Sequence, residues 1–361
     1  MRSTLVLLCA LCALSAATSY PAILYAGDLA LNQPRTFTGQ NLEVSFSSTS
    51  SYIVQYINVT VDNGTPVDLL HLLSRSIAKF SASSSVTFTL TTNVFTDWKA
   101  QAVVFYIVQK QNANDLVYNI MSPTDLYENG TALGVNVTGD SPLVMLMPAD
   151  GISPKGFQID LMYFPDAKGS DATVELLTSN DTYPLYTERE DESSKWRNTV
   201  VYGSAIRVRV GSGASATLGI TPGPTSNWNN YDRVVDVGDK GIVMTASYQN
   251  PNSASQDLFV TLSSGSKKKL KFTVKIVSAD TKLGNLSIQD AENGTSVHYG
   301  NNAAPASDPT PEGIVTSELF VKYTAQAGSK GLLLQYDVEK SSTGVAMFFA
   351  IVLSVLRALI A

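Results

Sequence analysis

Short apolar runs, many with apolar and polar residues in alternation, recur along most of the chain and predict β-strands. Turn-forming residues separate the runs, and no regular helical pattern lies between them. This spacing favours antiparallel sandwiches over a parallel α/β sheet. The eleven runs are Leu42–Phe46, Tyr52–Val61, Val86–Leu90, Val103–Val108, Leu143–Met147, Phe157–Tyr163, Ile206–Val210, Leu258–Leu262, Leu270–Val277, Leu319–Tyr323 and Leu332–Tyr336.

One segment departs from the strand pattern and predicts a short amphipathic helix. Thr65 suits the N-cap, Pro66 the first helical position and Asp68 the first turn. Its apolar face, with His71 inside it, comprises Leu69, Leu70, Leu72, Leu73, Ile77 and Phe80. We expect this helix to pack across one sheet of the first domain.

Three segments share an internal pattern: a serine, a strand, a turn of small residues or lysine, and a second strand. They begin at Ser141, Ser204 and Ser317, and each predicts a β-hairpin with a solvated turn. The first and third are the better matched pair, because Lys155-Gly156-Phe157 parallels Lys330-Gly331-Leu332. The uneven spacing indicates duplicated domains rather than a solenoid.

The amino-terminal segment has the layout of a secretory signal peptide. Arg2 precedes an apolar run, Leu5–Leu14, and small residues follow before Tyr20. We therefore expect residues 1–19 to be removed. Both cysteines, Cys9 and Cys12, lie in this segment, so the mature protein is expected to form no disulfide and no cysteine metal site.

The carboxyl-terminal segment, residues 341–361, resembles a GPI-attachment signal. Small residues precede an apolar run that Arg357 interrupts, with Ser341 and Ser342 as attachment candidates. A short retained anchor is the alternative. Either reading places the folded part at the extracellular face of the plasma membrane, tied to the membrane, and a secreted form is also compatible.

Seven Asn-x-Ser/Thr sequons fit the secretory route and predict N-glycosylation. They are Asn58, Asn63, Asn129, Asn136, Asn180, Asn285 and Asn293.

A Pro-, Gly- and Asn-rich segment at 221–230 predicts a linker. With the strand pattern, it predicts an all-β chain of two antiparallel β-sandwich domains, the first carrying the helix. The expected first domain is 20–165 and the second is 231–340, with 166–230 as a connecting β region and linker.

The second predicted domain resembles a CUB domain. Gly241-Ile242, the stretch Tyr248-Gln249-Asn250-Pro251 and the closing strands 317–339 carry the likeness. The whole layout resembles nematode-type secreted CUB-like proteins, in a disulfide-free variant. The resemblance implies jelly-roll sandwiches and a role in innate immune or stress responses.

Calcium-binding CUB domains use a set of acidic residues for the ion. Gly284-Asn285 and Thr324-Ala325 stand where two of those acids are usual, so the resemblance implies no calcium site. We expect neither a metal nor a cofactor.

Composition and motifs argue against catalysis and against nucleic acid. The net charge is −6 with 16% charged residues, whereas nucleic-acid binding requires a basic surface. The two histidines, His71 and His298, belong to no recognisable triad, and no G-x-S-x-G or P-loop motif occurs. The acidic cluster Glu188, Glu190, Asp191 and Glu192 predicts a solvated loop, and a carboxylate pair for glycoside hydrolysis is its alternative.

Two features predict ligand binding. Lys269, Lys271 and Lys275 lie on the outward face of one strand, where they suit anionic glycans or phospholipid headgroups; solubility and edge protection are the alternative. Trp228, flanked by amides and Tyr231, suits stacking on a sugar or a wedge between domains.

These observations predict a non-enzymatic recognition or adhesion protein whose partner is an extracellular protein or a glycan. A surface-coat protein and a carboxylate-based glycoside hydrolase are the alternatives.

Overall fold

The strands form six sheets, and these pair face to face as three sandwiches around separate cores. The all-β fold class is confirmed. The computed structural model describes residues 20–48, 51–75, 78–92, 100–110, 114–120, 127–128, 131–148, 156–163, 170–192, 195–196, 199–222, 230–246, 248–249, 255–292, 294, 296–300 and 302–341.

The first sandwich packs two four-stranded sheets, ordered β1-β8-β3-β6 and β2-β7-β4-β5. Its strands are β1 Ala22–Tyr25, β2 Arg35–Thr38, β3 Leu42–Ser48, β4 Ile57–Val61, β5 Val67–Asp68, β6 Lys79–Ala82, β7 Ser85–Leu90 and β8 Val103–Gln109. Alternation explains β7, where Val86, Phe88 and Leu90 are buried and the threonines between them are half-buried. The Phe88 ring lies 4.5 Å from Phe105 on β8, at the centre of the core.

Two short helices lie in the first sandwich, α1 (Ser51–Val54) and α2 (Leu69–Ser74). The predicted helix is therefore shorter than expected. Asp68, not Thr65, is its N-cap and accepts a hydrogen bond from the His71 backbone N–H at 2.7 Å. Pro66 precedes the short strand β5, and Phe80 lies on β6. His71 is exposed rather than part of the apolar face.

One predicted residue of the helix is not tested, and one predicted strand is corrected. Ile77 lies outside the described residues. The run Tyr52–Val61, predicted as one strand, divides into α1 and β4.

The second sandwich packs two five-stranded sheets, ordered β10-β11-β18-β13-β16 and β15-β14-β17-β12-β9. Its strands are β9 Leu116–Asn119, β10 Tyr127–Glu128, β11 Thr131–Thr138, β12 Leu143–Leu146, β13 Gly156–Tyr163, β14 Asp171–Leu177, β15 Thr182–Arg189, β16 Thr199–Tyr202, β17 Ala205–Val210 and β18 Ser215–Pro222.

The third sandwich packs a five-stranded sheet, β19-β21-β26-β23-β24, on a four-stranded sheet, β20-β27-β22-β25. Its strands are β19 Asn230–Val235, β20 Lys240–Met244, β21 Gln256–Ser264, β22 Leu270–Ala279, β23 Gly284–Asp290, β24 Ser296–Tyr299, β25 Ile314–Thr316, β26 Glu318–Ala325 and β27 Leu332–Lys340.

All three sandwiches share one strand order. In each, eight consecutive strands form sheets in the orders 1-8-3-6 and 2-7-4-5, which is the order of an eight-stranded jelly roll. The eight are β1–β8, β11–β18 and β20–β27. The strands that lead into the second and third sandwiches, β9 and β19, add in parallel to β12 and β21.

The predicted domain boundaries are corrected by these pairings. Residues 166–230 were predicted as a connecting region and linker, but residues 171–222 of this range supply β14 to β18, the last five strands of the second jelly roll. The strand pattern shows where strands lie but not which strands pair, so two domains were expected where the sheets form three.

The three predicted hairpins are wrong. In β12–β13, β17–β18 and β26–β27 the two strands lie in opposite sheets, so each unit is an arch that crosses the core. Both strands of an arch bury apolar residues on the same core, which gives the same sequence pattern as a hairpin. Ser204 and Ser317, rather than Ser141 and Ser317, are the equivalent pair, because each precedes the seventh strand of its jelly roll.

The sandwiches also pack against one another. Val104 on β8 joins Val144 on β12 in an apolar cluster between the first and second sandwiches. Ile242 and Met244 of β20 extend the core of the second sandwich into the third. The Lys240 N–H donates to the carbonyl oxygen of Lys195 at 2.8 Å across this second junction.

Asp62 fastens two turns of the first sandwich together. Its carboxylate accepts hydrogen bonds from the backbone N–H groups of Ser83, Ser84 and Ser85 and from two of the serine hydroxyls, at 2.6–3.0 Å. These donors favour the charged form, so they hold the pKa of Asp62 well below its ordinary value.

This depressed pKa predicts a pH-dependent stability. The contribution of Asp62 is fully present above the ordinary aspartate pKa of about 3.9 and is lost as the pH falls through the lowered folded-state value. Asp62→Asn should lower Tm at pH 7, and the difference from wild type should shrink below about pH 3. Thermal melts at pH 7, 4 and 2 test this, with the exposed Asp191→Asn as the control. A difference that stays constant with pH contradicts it.

Candidate functional site

A groove of about 730 Å³ lies between the second and third sandwiches. Its size falls within the range of roughly 300–1,000 Å³ that is typical of ligand sites, and domain junctions are a common location for such sites. Its lining residues are Asp171, Thr187, Arg189, Trp196, Lys240, Thr273, Lys275, Ser307, Asp308, Gln335, Tyr336 and Asp337.

Strand register places the groove side chains. Asp171 opens β14 directly opposite Arg189 at the end of β15, so both belong to one wall. On the other wall, Lys275 of β22 pairs in register with Gln335 of β27. The Gln335 amide donates to the carbonyl oxygen of Leu185 at 3.0 Å, which fixes the distance between the walls.

The rim of the groove carries charges of both signs. Lys240 lies 3.7 Å from Asp337 in an ion pair. Arg189 is exposed, as is Lys275, and neither has an ion-pair partner among the residues that the structure describes. These two cations are therefore available to an anionic or hydroxyl-rich ligand.

Aromatic side chains lie beneath the rim. The Trp196 ring stacks on Tyr186, with centroids 4.6 Å apart and planes 17° apart, and the Arg233 guanidinium lies 6.0 Å from the centre of the Tyr336 ring. Burial raises the pKa of Tyr336 to about 12. Burial also raises the pKa of Tyr186, with the Glu188 carboxylate adding to the effect and Arg233 opposing it. Both phenols are thus neutral at physiological pH.

The structure separates the predicted lysines. The inward and outward alternation of β22 is confirmed, with Leu270, Phe272, Val274 and Ile276 buried. Only Lys275 lines the groove. Lys269 forms an ion pair with Glu292, and Lys271 lies 2.9 Å from Glu339.

Protection of a sheet edge does not explain these lysines. β22 lies between β27 and β25, so it is not an edge strand. Beyond β25, a loop continues the pairing, because Ile276 N–H donates to the carbonyl oxygen of Ser307 at 2.9 Å.

The two predicted aromatic residues have different outcomes. Tyr231 packs against the core of the third sandwich, and burial raises its pKa far above the ordinary value. Its ring is therefore committed to packing rather than to a surface ligand. Trp228 lies outside the described residues.

The acidic cluster is only partly the solvated loop that the sequence predicts. Glu188 lies on β15 and is 1% exposed, because alternation turns it inward toward Tyr186. Glu190 is half-buried and Asp191 is exposed, in a short 3-10 turn after the strand. His298 lies on the edge strand β24, where its Nε2 is 2.7 Å from the Ser296 hydroxyl.

The positions that the CUB resemblance aligns with calcium ligands lie close to one another in the structure. Gly284, Asn285, Thr324 and Ala325 line one surface depression with Asp257. Among the described residues, no group of three or more histidine, cysteine, aspartate or glutamate side chains converges.

Most described sequons are accessible. Asn63, Asn136, Asn180 and Asn285 are exposed and Asn58 is half-buried. Asn129 and Asn293 lie outside the described residues.

The two segments that the sequence predicts to act in targeting lie almost entirely outside the described residues. Residues 1–19 and Ser342 onward are not described, and Ser341 is the last described residue. No helix in the described part of the chain has the length and apolarity that a membrane span requires.

Comparison with known proteins yields structural likeness only. No protein family and no curated protein matches the sequence. The chain is similar to the solved CUB1-EGF-CUB2 region of human MASP-1/3, with 14% identity and a TM-score of 0.22, over 57% of this chain and 92% of that one. It is also similar to tripeptidyl peptidase 2, with 10% identity and a TM-score of 0.20, over 85% of this chain and 32% of that one.

Proposed function

We propose that the protein is a non-enzymatic recognition protein that binds an acidic, hydroxyl-rich glycan in the groove between its second and third sandwiches. The observation that carries this proposal is the pair of exposed cations without an ion-pair partner among the described residues, Arg189 and Lys275, on opposite walls of the groove. Such cations attract the acidic groups of a glycan, and the polar side chains of the lining, such as Thr187 and Ser307, can hydrogen-bond its hydroxyl groups.

The site of action in this proposal is the extracellular face of the plasma membrane, with a GPI anchor. The signal-like residues 1–19 and the apolar tail support it. So do the repeated sequons: Asn63 and Asn180 each lie in the turn between the fourth and fifth strands of a jelly roll, and Asn293 falls in the same connection of the third by sequence. The resemblance to nematode-type CUB-like proteins extends the proposal to an innate immune or stress response.

Lys275→Glu tests the groove. The protein should retain acidic glycans on a glycan array, and Lys275→Glu should weaken that binding about tenfold or more, because an attractive contact becomes repulsive. Lys271→Glu is the matched control, since it makes the same charge change on the same face of β22 outside the groove. Equal losses in both variants contradict a site in the groove.

A surface-coat protein is the second candidate, favoured by an exposed apolar patch on the third sandwich. Phe259 is 38% exposed and its ring lies 5.5 Å from Phe320 on the neighbouring strand. This candidate predicts concentration-dependent self-association, which Phe259→Ser abolishes in sedimentation, and no retention on the array.

A further inference from the structure

A second cavity lies where all three sandwiches meet. Its volume is about 160 Å³, which is below the roughly 300–1,000 Å³ of drug-sized sites and suits a single sugar residue. Tyr25 and Gln101 come from the first sandwich, Tyr183 from the second, and Tyr248 and Lys330 from the third.

Asn180, a sequon asparagine, is itself one of the residues that line this cavity. It lies at the exposed tip of the β14–β15 turn. Backbone and hydroxyl hydrogen bonds between Thr178 and Asp181, at 2.9–3.1 Å, hold the turn in place. A group attached to the Asn180 amide nitrogen therefore starts at the mouth of the cavity.

The same turn carries a sequon in the first sandwich, but its surroundings differ. Asn63 lies in the β4–β5 turn with a φ of 58° and is exposed. It does not line the junction cavity. Of these two turns, only the one in the second sandwich lines a cavity to which both neighbouring sandwiches also contribute residues.

The cavity lining matches the chemistry of an N-acetylated sugar. Tyr183 and Tyr248 meet edge to face with ring centroids 6.2 Å apart, which provides an apolar surface for a sugar ring or an acetyl methyl group. Gln101 accepts from the Ser204 hydroxyl at 3.0 Å through its carbonyl oxygen. Its amide nitrogen is then left to donate to a sugar oxygen.

We propose that the first N-acetylglucosamine of a glycan on Asn180 occupies this cavity and ties the three sandwiches together. In the secretory route, the amide nitrogen of Asn180 forms a bond to C1 of the first sugar, the bond between C1 and the oxygen of the lipid diphosphate breaks, and the amide proton passes to the departing diphosphate. Because the sugar is then covalently tethered at the cavity mouth, its effective concentration is high and weak contacts suffice for occupancy. The inference rests on the secretory route in the proposed function and is independent of the groove.

Two glycosidases and one pair of variants test this inference on full-length protein from a glycosylating host. Mass spectrometry should find Asn180 occupied. Under native conditions, peptide-N-glycosidase should release the Asn180 glycan at least about tenfold more slowly than the Asn63 glycan, since release requires local opening of the junction. Endoglycosidase H, which leaves the first sugar in place, should leave Tm unchanged.

Asn180→Gln should lower Tm by about 2–4 °C in the glycosylating host. The control is Thr65→Ala, which removes the Asn63 sequon at an exposed position and leaves Asn63 in place, and it should lower Tm by less than about 1 °C. In a host that adds no glycans, wild type and Asn180→Gln should melt together, which separates loss of the sugar from the change of side chain. Equal release rates, or a Tm loss that persists without glycans, overturn the inference. An empty Asn180 beside an occupied Asn63 overturns it alone, whereas empty sequons throughout overturn the secretory route as well.

Discussion

Phe105→Ala should lower the stability of the first sandwich by about 3–5 kcal/mol, the usual cost of deleting a buried phenylalanine. Phe105 is fully buried on β8, which is hydrogen-bonded to strands on both sides. Its ring lies 4.5 Å from Phe88 and 5.9 Å from Phe46, so the missing ring leaves a cavity that these rigid neighbours fill poorly.

Amide hydrogen exchange of β8 in the full chain measures this loss residue by residue. Tyr52→Ala is the control, because its ring is 58% exposed and its removal should change stability by less than about 1 kcal/mol. A Phe105→Ala loss as small as that of the control would show that these rings do not form the core of the sandwich.

Glu175→Ala should lower the stability of the junction between the first and second sandwiches by about 3–5 kcal/mol. The Glu175 carboxylate is 5% exposed and accepts from Arg207 Nε at 2.7 Å and from Arg209 Nη2 at 2.6 Å. Without it, the half-buried guanidinium of Arg207, which is 15% exposed, loses its carboxylate partner. Arg207 also acts electrostatically on Tyr106 of β8, where its charge opposes the rise in the pKa of that phenol, and this links the ion pair to the first sandwich.

Urea unfolding of the full chain measures the effect. Glu43→Ala, which breaks the more exposed pair with Lys79, is the matched control and should cost about 1 kcal/mol or less. Similar losses in the two variants would contradict the account of a buried ionic junction.

The strands were predictable because burial on one face produces a local alternation. Leu270 to Ile276 shows this, since each second residue enters the core as the pattern predicts. The helix was misplaced because Val67 and Asp68 pair with β4, and this tertiary pairing outweighs the local capping signal at Thr65.

The number of sandwiches was not predictable, because strand pairing joins residues that are far apart in the sequence. The arch that begins at Ser317 has the sequence pattern of a hairpin, because the pattern shows that both strands are buried but not which sheet each strand joins. Likewise, residues 166–222 contain ordinary strands whose partners lie up to tens of residues away, such as β18 with β11.

The candidate site was only partly predictable. Lys275 could be predicted because it follows a strict alternation, whereas Arg189 falls inside the acidic segment that the sequence predicts to be a solvated loop. Asp171 and Arg189 lie opposite each other across a hairpin, and β20 packs against the second sandwich. Both arrangements depend on three-dimensional packing. The sequence did carry one signal for Arg189, because this residue is a cation at the end of a strand, β15.

Hydrogen-exchange footprinting of the array-selected glycan on the full-length protein tests the groove most directly. Bound glycan should slow exchange in the rim segments 187–190, 273–276 and 307–308 and leave the outer strands β2 and β24 unchanged. Protection that instead falls on the Phe259–Phe320 face, or on the first sandwich alone, would contradict recognition in the groove between the second and third sandwiches.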